Sequence, residues 1–155
     1  MTYKKSQTGW LIVIIVSPIL VFLLFTYLFQ WGNNPITLIP FLGISGIMIF
    51  VILLFYKLTI RIEGRKIEAI YGIGLIKFTI RIDVLNSVSI IRTPWWYGWG
   101  IRFTPKGWLY NIHGSKAVRL EYRREGKSKR IMVGTPEPDK LKDTIEKHFG
   151  LTKYD

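Results

Sequence analysis

Few residues in this chain have side chains suited to chemistry. His113 stands beside a glycine turn, and His148 lies in the last turn of a C-terminal helical pattern. Neither has an acid and a serine at a catalytic-triad spacing. The ten carboxylates are scattered, and four of them stand next to an Arg or Lys. There is no Cys, which excludes disulfides, thiolate metal sites and Cys nucleophiles. HExxH, P-loop and dinucleotide fingerprints are absent, and Gly98-Trp99-Gly100 is too short and too aromatic to cradle a phosphate. The expectation is a protein that binds rather than catalyses, with no cofactor and no metal.

Residues suited to recognition are more plentiful. Trp95, Trp96, Tyr97 and Trp99 fall within five residues, with Arg92 and Arg102 at the edges. Such rings either pack a small barrel or form a docking surface for the membrane interface or a protein partner. Pro94, Gly98 and Gly100 favour a shaped loop over a continuing strand. Lys57, Arg61, Arg65 and Lys66 form one basic group, and Arg119, Arg123, Arg124, Lys127, Lys129 and Arg130 a second. Each is either a solvated face or a surface drawn to anionic headgroups. Aromatic and basic residues also bind single-stranded nucleic acid, but a membrane anchor ranks that partner last.

The anchor is read from two runs, residues 10–31 and 36–56, that contain no Asp, Glu, Lys, Arg or His. At about 1.5 Å per residue the first reaches roughly 33 Å, enough for a hydrocarbon core of about 30 Å. It is too long for a signal h-region and no A-x-A-like site follows, so it is expected to be retained. Gly32-Asn33-Asn34-Pro35 joins the runs too tightly for anything but an antiparallel hairpin. Lys4 and Lys5 flank one end, and Lys57 and its basic neighbours follow the other. The positive-inside bias then places both termini in the cytoplasm. Trp10, Trp31, Tyr56 and Lys57 are the expected membrane-interface anchors. No ionisable group lies within the membrane, which argues against active transport. Pro18, Pro40, Gly43 and Gly46 leave open a homo-oligomeric effector or pore gated by the soluble part.

After Tyr56 the apolar period shortens to two. Leu58, Ile60 and Ile62 alternate with Thr59, Arg61 and Glu63, and Ile76–Ile82 and Val118–Tyr122 do likewise. With the turn signals between them, this predicts about seven strands near 57–63, 66–71, 75–82, 86–92, 100–104, 108–113 and 116–124, with a last one near 128–133. Thr135 reads as an N-cap and Pro136 as the first residue of a helix whose Leu141, Ile145 and Phe149 repeat on one face. Gly150 ends it. Such a helix must cover an open end or face of the sheet. This second part holds all ten carboxylates and 20 of the 22 basic residues, a charge of about +10 that favours anionic partners.

Strands closed by one C-terminal helix, the run Arg92-Thr-Pro-Trp-Trp-Tyr-Gly-Trp-Gly-Ile-Arg102, the run Gly107-Trp-Leu-Tyr-Asn-Ile-His-Gly114, Ala117-Val118 and Val133-Gly-Thr-Pro-Glu-Pro138 resemble one family. It is that of small bacterial two-helix membrane proteins with a pleckstrin-homology-like (PH-like) domain. The resemblance covers roughly residues 57–150. It implies a fold and a bacterial plasma-membrane setting, and no particular activity. Phosphoinositide-binding PH domains carry basic residues around the first hairpin, where Arg61, Arg65 and Lys66 stand here. The full Lys-x(n)-Arg-x-Arg signature is absent, so that ligand is not carried over.

The expected organisation is an N-terminal cytoplasmic tail (1–8), a transmembrane hairpin (9–56), a mainly β PH-like domain capped by one helix (57–150) and a short tail (151–155). The expected role is a membrane-anchored binding or scaffold module. Its partners are membrane lipids, and a membrane or cytoplasmic protein or a second copy of itself.

Overall fold

A computed structural model describes residues 3–94, 100–112 and 114–151. The elements run β1 (Tyr3–Thr8), α1 (Trp10–Leu28), α2 (Leu38–Phe55), β2 (Lys57–Glu63), β3 (Lys66–Tyr71), β4 (Ile76–Arg81), β5 (Val84–Arg92), β6 (Gly100–Thr104), β7 (Gly107–Asn111), β8 (Lys116–Arg124), β9 (Lys127–Gly134) and α3 (Pro138–Phe149). Helices α1 and α2 are apolar on every side and make an antiparallel pair, with Tyr27 and Phe41 stacked 4.4 Å apart. With 19 and 18 residues, both are long and apolar enough to cross a membrane. A helix without a polar face has no preferred side to turn to water.

Strands β1 to β4 form one antiparallel sheet in sequence order. The other sheet has the order β5-β8-β9-β7-β6, antiparallel except where β7 runs beside β9. The period of two works as alternation requires. On β2 and β3, Leu58, Ile60, Ile62, Ile67, Ala69 and Tyr71 point inward and are buried. They meet Tyr110, Val118, Leu120, Ile131 and Val133 from the other sheet in one core. Helix α3 closes that core against β5 and β8 with Leu141 and Ile145. Burying two such side chains is worth about 1.5–3 kcal/mol each.

Three expectations change. The described residues hold nine strands, not about seven with an eighth. The added one is β1, in the stretch read as a tail. It pairs with β2 in register from Tyr3–Ile62 to Thr8–Lys57, so the apolar hairpin is an insertion between two neighbouring strands. Its sequence, Lys-Lys-Ser-Gln, has no apolar alternation because β1 is an edge strand, and edges tolerate polar residues. Helix α3 begins at Pro138 rather than Pro136. The Thr135 hydroxyl accepts the Glu137 N–H at 3.2 Å in a turn before the helix, and Pro138 takes the first helical position instead. The apolar helices are also shorter than their runs, ending at Leu28 and starting at Leu38.

Candidate functional site

The junction between hairpin and sheets has no linker. Gly9 alone separates β1 from α1, and Tyr56 alone separates α2 from β2. The Gly9 N–H donates to the Tyr56 carbonyl at 2.6 Å, continuing the ladder to the foot of the helices. A Cβ at Gly9 would lie 2.6 Å from the Phe55 carbonyl oxygen and 2.9 Å from Ile112. The turn after β3 also rests on α2. Gly72 N–H donates to Lys57 O at 2.7 Å, and Ile73 N–H donates to Leu53 O at 3.2 Å. That second bond satisfies a carbonyl that the end of a helix leaves open. The same turn presents Ile73 and Leu75, 56% and 64% exposed, beside the last turns of α2. Behind it, Tyr71 donates its phenol proton to the Asn111 carbonyl at 3.2 Å. Burial, with Tyr110 nearby, pushes that phenol far above its usual range despite the hydrogen bond, so it stays neutral.

Strand directions sort the basic residues into two poles. β2 leaves α2 at Lys57 and runs away from it, so at about 3.3 Å per residue Glu63 stands roughly 20 Å farther out. The turn from β2 to β3, the Lys66–Arg81 pair, the turn from β8 to β9 and the end of α3 share that far pole. The Asp83 N–H donates to Arg123 O at 3.1 Å, and Glu125 N–H donates to Asp83 Oδ2 at 2.8 Å. His148 Nε2 lies 2.6 Å from Gly64 O. Here Arg65, Lys66, Arg81, Arg123, Lys127 and Lys147 are exposed. Lys66, Arg81, Arg123 and Lys127 have no carboxylate oxygen within 4 Å among the described residues.

Among the described residues the expected basic site residues therefore do not come together. Arg61 sits halfway up β2, 3.3 Å from Glu63. Arg65 reaches Asp83 O at 3.4 Å on the far pole, next to Lys66. The sequence reading set all three near the membrane exit, and strand length carries them away from it. Lys57 stays at the helix foot, and Arg92 lies at the end of β5 away from Val84, opposite Lys116 in the β5–β8 ladder. Arg102 lies on edge strand β6, beside the foot. Trp95, Trp96, Tyr97, Trp99 and His113 lie outside the described residues. Trp10 at the start of α1 is 62% exposed and Tyr56 caps α2. Trp31 is 56% exposed at the other end of the hairpin. Gly9, Ile73, Leu75 and Lys116 carry no motif in the sequence that marks them. The glycines of Gly72-Ile73-Gly74 mark a turn in the sequence, but its seat on α2 is a contact distant in sequence.

Among the described residues no three His, Cys, Asp or Glu side chains gather as metal ligands. No family model, characterised protein or solved structure matches this chain.

Proposed function

We propose that the chain is a membrane-anchored binding module. It seats a PH-like domain on the bilayer and offers that domain's far, basic pole to an acidic segment of a protein partner, without catalysis. The observation that carries this is strand direction: Lys66, Arg81, Arg123 and Lys127 stand about 20 Å from the helix foot, beyond reach of the headgroups of the membrane that the hairpin would cross. Two sheets closed by a C-terminal helix support the PH-like assignment, with β1 and the hairpin as additions. The flanking lysines support a cytoplasmic domain in a bacterial plasma membrane. Lys57, Arg92 and Lys116 are among the cations that would meet headgroups, worth about 1 kcal/mol each near an anionic surface.

The test uses the full chain in phosphatidylcholine nanodiscs, titrated with poly-L-glutamate across a salt series. Binding is expected to saturate and to weaken as salt rises. Combining Lys66→Gln, Arg81→Gln, Arg123→Gln and Lys127→Gln should weaken it about tenfold or more, whereas Lys57→Gln with Arg92→Gln and Lys116→Gln stays within about twofold. Equal losses in both variants would reduce the effect to net charge and overturn the reading. Tighter binding of duplex DNA than of poly-L-glutamate would move the partner class to nucleic acid.

A further inference from the structure

A cleft of about 710 Å³ lies where the hairpin meets the second sheet. Leu11 and Ile12 from the first turn of α1 and Val51 and Phe55 from the end of α2 line it, with Ile101 and Arg102 of β6 among the residues opposite. Its size falls in the ligand-pocket range of about 300–1,000 Å³. The apolar wall belongs to the helices long enough to cross a membrane, so the cleft sits at the level where acyl chains meet headgroups. Arg102 brings a cation to it.

We infer that this cleft holds one anionic phospholipid, its acyl chain along Leu11, Ile12, Val51 and Phe55 and its phosphate at Arg102. The lining matches both halves of such a molecule. Apolar side chains accept the tail without leaving a polar group unsatisfied, and the guanidinium charge attracts a phosphate. The inference depends on the hairpin crossing the bilayer and is independent of what the far pole binds.

The probes are dioleoyl phosphatidylglycerol and dioleoyl phosphatidylcholine, added to the full chain in detergent and counted by native mass spectrometry. The expected result is one retained phosphatidylglycerol per chain, saturating, with phosphatidylcholine held roughly tenfold more weakly. Arg102→Gln should erase most of that preference and still retain lipid. Leu11→Trp and Val51→Trp, at half-buried positions on the helix surfaces, should each lower retention of both lipids. Unchanged circular dichroism confirms that these variants fold. Equal retention of the two lipids by the wild-type chain overturns the inference whatever the variants do. So does retention unchanged in folded Leu11→Trp and Val51→Trp variants. Either failure leaves the poly-L-glutamate result standing, because that measurement reads the opposite pole.

Discussion

Gly72 and Gly64 share the same left-handed backbone, φ +54° at each, and differ in what surrounds them. A Cβ at Gly64 would meet nothing within 4 Å, whereas one at Gly72 would collide with the carbonyl oxygens of Leu53 and Leu54. The pair separates backbone strain from packing. Gly64→Ala should cost about 1 kcal/mol, the ordinary penalty for a side chain at positive φ. Gly72→Ala should cost about 3 kcal/mol or more, because the turn cannot keep both its conformation and its seat on α2. Urea denaturation of the full chain in detergent measures both. Equal losses would mean that the turn moves freely against the helix. In the sequence the two positions look alike, each a glycine in a turn signal. Only the chain packed behind Gly72, some twenty residues earlier, sets it apart.

Strand β1 shows the corresponding limit for elements. Strands β2, β4 and β8 are legible because a period of two marks their sequences, and the turn signals between them bound the other strands after β1. The two apolar helices were legible through length and lack of charge. β1 carries no such mark, since its fastenings are polar. Ser6 shares a hydrogen bond with Thr59 at 2.9 Å, the Gln7 amide donates to Gly134 O at 3.1 Å, and Lys5 pairs with Glu137 at 3.0 Å. Lys140 adds a second cation at 3.5 Å from Glu137. The hydrogen bond from Lys5 is the main cause holding the Glu137 carboxyl below its usual value of 4.5, with Lys140 adding to it. A carboxyl lowered by folding contributes stability that is complete above the unfolded value and is lost as pH falls through the folded one. Acidification below about pH 4.5 should therefore loosen β1 from the start of α3. Hydrogen-exchange protection of the Tyr3–Thr8 amides is expected to drop in that window. Glu137→Gln should lower it already at neutral pH and flatten this pH response. Identical profiles for the two proteins would show that the pair does not hold the strand. The pair is exposed to solvent, so the effect is modest and weakens with salt.

For the assembled chain, the β1–β2 register has a consequence that charge counting alone could not give. Thr8 pairs with Lys57, so the start of α1 and the end of α2 are held side by side by the same ladder that builds the domain. If the helices cross a bilayer, Ser6, the sheets and the far basic pole lie on one side, and Asn33 in the hairpin turn lies on the other. The flanking lysines alone give the same sidedness, yet chain distance sets Arg61, Arg65 and Lys66 close to the membrane exit. A strand turns each residue of that distance into about 3.3 Å of height. The absence of native cysteine makes sidedness directly measurable. Ser6→Cys, Ser128→Cys and Asn33→Cys, made singly and treated with a membrane-impermeant maleimide, should divide into two classes. Positions 6 and 128 react together in inverted vesicles, and position 33 reacts in right-side-out vesicles. Labelling of positions 33 and 128 from the same face would mean that the hairpin lies along the interface rather than across it. The acyl-chain cleft would then lose the bilayer depth on which it depends. The far pole would still point away from the helix foot, because its height is set by the sheets and not by the membrane.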